Sequence, residues 1–172
     1  GKVLSRDELQ TIAKLAIEFD LIVLTDEVYE HLTFDGSEHI AMATLPGMRD
    51  RVLSISSGGK TFNTTGWKIG WLCGPAPLLT AARTAKQFLT FVNGGPFQPA
   101  IALGLGLPDS YFRDFGADLQ AKRDRLLPGL HKAGFTVFPT SGTYFVTVDI
   151  RPLQPDGDGI AFCRELPKRC GV

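Results

Sequence analysis

Cysteine is scarce in this chain: Cys73, Cys163 and Cys170 are the three in 172 residues, widely spaced and without a CxxC pair. That number and spacing argue against a disulfide framework or a cysteine-bound zinc site, and point to a reducing compartment, the cytoplasm. The three histidines, His31, His39 and His131, lack ligand spacing and read as loop or surface positions, so no metal is expected. Excess charge of either sign is missing as well, because eighteen Lys and Arg balance eighteen Asp and Glu. The chain therefore carries no electrostatic footprint for nucleic acid or a membrane surface. No apolar run reaches the length of a membrane span, no secretory signal opens the sequence, and no repeat or low-complexity tract interrupts it. What is present, 44% hydrophobic and 21% charged residues, is the composition of an ordinary globular protein.

The pattern along the chain is α/β. Ser5 and Glu8 make a capping box ahead of Leu9, Ile12, Ala13 and Ala16, which share one helical face. Residues 21–25 form an all-apolar run that reads as a buried parallel strand, and 52–57 form a second one. A third strand is expected at 69–73, with Cys73 as a small buried hydrophobe. Helical patterning runs from Pro77 to about Val92, breaks at Asn93-Gly94-Gly95-Pro96, and resumes to about Leu107. A long charged helix is expected from Pro108 to about Lys132, kinked or ended by Pro128. Strands at 135–138 and 141–149 and a last helix from Ile160 complete the order. This order predicts two lobes: residues 1–107 as part of a large domain, and 108–172 as part of a smaller α+β domain.

One segment carries chemistry. Ser57-Gly58-Gly59-Lys60-Thr61 sets a lysine in a tight turn of small residues directly after an apolar strand, with Lys68 eight residues further on. An amine held still in this way suits a Schiff base with a carbonyl cofactor. Ser57 and the N–H groups of the turn can cradle a phosphate, with Lys68 adding positive charge. Asp26 ends the first strand, where open α/β sheets place their ligand crevice. A carboxylate there calls for a cationic partner such as a protonated pyridine nitrogen. Tyr29 can offer its hydroxyl to the same ligand.

These residues resemble the fold-type I, class I pyridoxal-phosphate aminotransferases, nearest the kynurenine/glutamine transaminase and N-succinyldiaminopimelate aminotransferase branch. The resemblance covers essentially the whole chain and rests on Thr25-Asp26-Glu27-Val28-Tyr29, 57–62, Thr65-Gly66-Trp67-Lys68-Ile69-Gly70-Trp71 and Gly142-Thr143-Tyr144-Phe145. It implies part of the large mixed-sheet domain and part of the small α+β domain of that fold. It also implies pyridoxal 5'-phosphate as cofactor, with Lys60 as Schiff-base lysine and general base. Asp26 would then pair with the pyridine nitrogen, Tyr29 with the ring's phenolic oxygen, and Ser57 and Lys68 with the phosphate. Phe91 stands where relatives place an aromatic lining the substrate pocket. The implied activity is amino-group exchange between an amino acid and a 2-oxo acid in a homodimer. The family's Asn-Pro dipeptide, ring-stacking aromatic and carboxylate-binding arginine lie outside these residues. With Gly1 at one end and an apolar start at the other, the chain is expected to be an internal piece that does not work alone as a transaminase.

Other readings remain at this point. The same Lys, Asp and Tyr would serve a pyridoxal-phosphate β-lyase, and a truncated remnant could persist as a folding or interaction module. Gly59-Lys60-Thr61 imitates the end of a P-loop, but position 54 is serine where that motif needs glycine. The run Lys122-Arg123-Asp124-Arg125 reads as a solvated helix face, and Trp67 and Trp71 as packing residues.

Overall fold

A computed structural model describes residues 1–171. Helix α1 (Arg6–Glu18) starts at the expected capping box: Ser5 Oγ accepts the Glu8 N–H, and the Glu8 carboxylate accepts the Ser5 N–H. Leu9, Ala13 and Ala16 of its buried stripe pack on Met42, Leu45, Met48 and Val52, forming the main apolar core. Each such side chain removed from water contributes about 1.5–3 kcal/mol when large. Ile12, expected on that stripe, lies at its edge and stays exposed.

Strands β1 (Val23–Asp26), β2 (Val52–Ser57) and β3 (Gly70–Cys73) form one mixed sheet in that order. β1 runs parallel to β2, with Thr25 opposite Ser54 and Asp26 opposite Ile55. β3 runs antiparallel, with Gly70 opposite Ser57. The carboxyl ends of β1 and β2 and the start of β3 therefore share one edge. Helix α2 (Gly58–Thr61) is the lysine turn itself, a single helical turn. Its brevity is incompatible with the long helix a P-loop requires after the lysine.

The outer strand β1 is covered on one face, whereas β2 buries Val52 and Leu53 on opposite faces. β1 alternates half-buried and exposed positions, so Leu24, expected in a buried strand, stands open beside Leu21 and Ile22. Cys73 is exposed, not the buried hydrophobe its apolar strand suggested. An all-apolar run signals burial on both faces, and these residues provide the cover for one.

Helix α3 (Ala76–Leu89) buries none of its residues, and α4 (Gln98–Leu105) buries Ile101, which fills the space beside Gly58. Helix α5 (Asp109–Lys132) continues past Pro128, which does not end it. Gly134, at φ +92, then turns the chain into β4 (Thr136–Val137), which pairs antiparallel with β5 (Val148–Asp149). These strands are shorter than expected: between them, residues 141–147 fold as an irregular loop instead of a strand. Backbone bonds draw that loop to the segment after β1, with Phe34 N–H donating to Ser141 O and Thr143 N–H to Leu32 O. Helix α6 (Gly159–Cys170) closes the described residues, capped by Asp158. None of the described helices is long and apolar enough to cross a membrane.

Candidate functional site

Lys60 is fixed from below and from above. The turn that carries it is capped by Ser57 Oγ, which accepts the Gly59 N–H at 3.0 Å and donates to Ile69 O at 3.2 Å. Thr64 and Thr65 hydroxyls close on the carbonyls of Gly58 and Gly59. The half-buried ammonium sits 5.1 Å from the centre of the Tyr144 ring, a cation–π contact. Tyr144 in turn meets Tyr29 edge-on at 5.4 Å, and Phe145 meets Tyr29 at 6.0 Å. Lys60, Tyr29 and Tyr144 thus form one cluster.

Tyr144 is the member that sequence reasoning quoted without assigning a task. Its neighbour Thr143 sits at φ +69, a backbone state that β-branched residues rarely take. The strain is held by the bond from Thr143 N–H to Leu32 O and by Thr143 Oγ1 accepting the Phe145 N–H. Strained backbone of this kind concentrates at functional sites.

Asp26 ends β1 at the same sheet edge. It is exposed, and its Oδ1 accepts the Val28 N–H at 3.2 Å, a local turn bond. Burial, the adjacent Tyr144 and the Asp26 carboxylate push the Tyr29 phenol up to about 12. At neutral pH Tyr29 is therefore a donor.

Lys68 lies two residues before β3 in the left-handed region, at φ 57. The loop after α3 pins it there: Asn93 Nδ2 donates to Lys68 O at 2.6 Å. Gly94, at φ +59, presses so close to Ile69 and Trp67 that no side chain would fit, while Trp67 and Phe97 stack at 4.7 Å. Lys68 is exposed and available to an anion. Phe91, expected at a pocket wall, is 73% exposed and is not drawn into the Lys60 cluster.

Two sequence readings are corrected here. Arg123, expected on a solvated helix face, is buried: its guanidinium grips both Asp35 oxygens and the Thr140 carbonyl. α5 brings that position against the 33–35 turn, which periodicity in a highly charged helix does not reveal. His39 does lie in a loop, as read, but it is not a surface residue: it is half-buried and bonded to Glu27 at 2.9 Å. The loop after β1 folds back over the strand end and carries the imidazole inward.

The donor set fits pyridoxal phosphate. It offers a primary amine in a fixed turn, an exposed carboxylate at a strand end, a phenol held protonated, and a hydroxyl with a second lysine at an adjoining strand end. These match a carbonyl, a protonated ring nitrogen, a phenolate oxygen and a phosphate.

Residues 1–172 match the family described as aminotransferase class I and II. A Mycobacterium tuberculosis protein named probable N-succinyldiaminopimelate aminotransferase DapC is 51% identical over 172 residues, 100% of this chain and 43% of its own length. Human kynurenine–oxoglutarate transaminase 3 is 39% identical over 163 residues, 91% of this chain and 36% of its own. The solved structure of N-succinyldiaminopimelate aminotransferase from Mycobacterium tuberculosis superposes with a TM-score of 0.94 at 50% identity, over 99% of this chain and 44% of that one. The chain thus spans less than half the length of the relatives it matches.

Proposed function

The chain belongs to the class I and II aminotransferase family, and we propose that its protein exchanges an amino group between an amino acid and a 2-oxo acid, as an aminotransferase of N-succinyldiaminopimelate or kynurenine type. Its architecture is that of the fold-type I pyridoxal-phosphate transferases. The observation that carries the functional reading is the convergence of Lys60, Tyr144 and Tyr29 at the sheet edge where Asp26 ends β1.

When bound, pyridoxal phosphate supplies a carbonyl to take up the amino group and a ring to receive the electron pair left at the substrate's Cα. The chain's own residues do the rest. Lys60 would hold the cofactor through its Nζ, and that amine is the group placed to carry the substrate's Cα proton. The 5.1 Å contact with the Tyr144 ring limits where that amine can swing. Asp26 would keep a proton on the ring nitrogen, since a carboxylate favours the charged form of its partner. Tyr29, protonated at neutral pH, would donate to the ring oxygen. Lys68 and Ser57 would hold the phosphate. For Ser57 this would mean redirecting the hydroxyl proton it now gives to Ile69 O.

The lobes divide near Leu107, with the loop at 141–147 bringing Tyr144 from the second to the first. The protein acts as a homodimer, a reading supported by Phe88, Leu89 and Phe91, which stand open at the end of α3. The free, separate cysteines suit a cytoplasmic setting.

The test is product analysis with pyridoxal phosphate, 2-oxoglutarate, and N-succinyldiaminopimelate or kynurenine as amino donor. Stoichiometric transfer of the amino group to give glutamate is expected. Release of ammonia and pyruvate from a sulfur amino acid, without exchange, would instead assign a β-lyase.

A further inference from the structure

Behind the β1 edge lies a polar network that the proposed transfer does not use. Glu27 is 8% exposed and follows Asp26 directly. Its Oε1 accepts from Thr25 Oγ1 at 2.6 Å and from Ser54 Oγ at 2.9 Å; its Oε2 meets His39 Nε2 at 2.9 Å. Thr25 Oγ1 and Ser54 Oγ lie 3.2 Å apart across the parallel pair, side by side on that carboxylate. Glu27 N–H donates to Ile55 O, extending the ladder one step beyond the strand. One carboxylate thus ties together β1, β2 and the loop bearing His39.

Side chains alternate faces along a strand. Thr25 and Glu27 therefore take one face while Asp26 takes the other, as the burial pattern of β1 also records. Fixing Thr25 and Glu27 on the covered face fixes the direction in which Asp26 leaves the open one. Glu27, Glu30 and His39 offer atoms within 4.8 Å of one another, but donors already fill both Glu27 oxygens and Ser56 Oγ donates to Glu30. The trio is an ion-pair network, not an open ligand set.

We propose that Glu27 and His39 form a clamp that aims Asp26 at the cofactor's ring nitrogen, which makes His39 a positioning residue for the transfer reaction. This inference rests on the functional reading above. The clamp is charge-dependent. Glu27 and Glu30 face the imidazole, and Lys2, Asp26 and Tyr29 complete the titratable lining of the adjoining cavity of about 210 Å³. On the loop's other side a shallow groove carries His31, Glu38 and Arg113. The Glu27 bond draws the His39 imidazole above its ordinary range despite partial burial. Burial favours neutral Glu27, but the bonds from His39, Thr25 and Ser54 outweigh it and hold the carboxyl below the ordinary range.

The experiment compares wild type with His39→Ala and His39→Gln in the whole protein, with folding checked by circular dichroism. It reads two quantities between pH 6 and pH 9: the dissociation constant for pyridoxal phosphate, and the nitrogen-15 shift of the labelled ring nitrogen. The Ala variant is expected to bind about tenfold more weakly and to move the ring nitrogen toward its unprotonated shift. The Gln variant keeps an N–H toward Glu27 but no titrating charge. It should bind better than the Ala variant and lose the pH dependence that wild type shows. A folded Ala variant with wild-type affinity and ring-nitrogen shift, or a Gln variant with wild-type pH dependence, overturns the clamp alone. Wild type that captures no cofactor at Lys60 overturns the functional reading and the clamp with it.

Discussion

Replacing Arg123 with alanine removes the charge that rivets the 33–35 turn to α5 and to the segment leading into Tyr144. The guanidinium is 8% exposed and donates to Asp35 at 2.5 and 2.8 Å, to Thr140 O at 2.7 Å and to Asp124 Oδ1 at 2.8 Å. It also lies 4.9 Å from the centre of the Phe34 ring. A buried charge-assisted hydrogen bond contributes about 1.5–3 kcal/mol, and an orphaned carbonyl adds about 1–3 kcal/mol. The Asp35 and Asp124 carboxylates are open to water, so their pairs add little beyond geometry. The expected loss is then about 3 kcal/mol, set mainly by the Thr140 bond and the lost packing on Phe34. With a urea slope of about 2 kcal/mol per molar, the unfolding midpoint should fall by about 1.5 M. Arg123→Lys keeps charge without the planar fork and should recover less than half of that loss. Asp35→Asn should cost less than the Ala variant, because Asn tolerates the φ of +56 at this position. A midpoint shift below about 0.4 M for the Ala variant would refute the assignment of a buried strut.

Two further outcomes follow from the same geometry. Tyr144→Ala should weaken pyridoxal phosphate capture by about fivefold through loss of the ring over Lys60, while Tyr144→Phe keeps affinity within about twofold. The Phe variant should also lower the Tyr29 phenol from about 12, read by ultraviolet titration, because one of the groups raising it is gone. An Ala variant with wild-type affinity would remove Tyr144 from the site. The Glu27–His39 pair makes stability pH-dependent from both sides. His39 is raised above 6.5, so its contribution is complete below 6.5 and is lost as pH climbs through the folded value. Glu27 is lowered below 4.5, so its contribution is complete above 4.5 and is lost as pH falls through the folded value. Urea midpoints measured across pH should show both losses in wild type and no loss of the upper kind in His39→Ala.

Much of the segment from α1 to β3 was legible because its signals are local. The capping box at Ser5, the apolar run ending in Asp26, and the small-residue turn around Lys60 each depend on neighbours a few residues apart. Tyr144 and Arg123 were not legible in that way. The cation–π contact joins Lys60 to Tyr144, far apart in the sequence, and the Asp35 fork joins a turn to a helix far along the chain. Cys73 and Leu24 misled for a different reason: apolar strands imply cover on both faces, and at these two positions the described residues leave one face open. The 141–147 loop was read as strand because β-rich composition does not report the left-handed turn at Thr143 that breaks it.

The most direct measurement treats the protein with pyridoxal phosphate, fixes any covalent linkage with borohydride, and maps the modified peptide. A visible absorbance band that vanishes on reduction, with the label on Lys60 and none after Lys60→Ala, is the expected result. Label scattered over surface lysines, or unchanged labelling in the Lys60→Ala variant, would contradict the placement of the cofactor at the turn between β2 and β3.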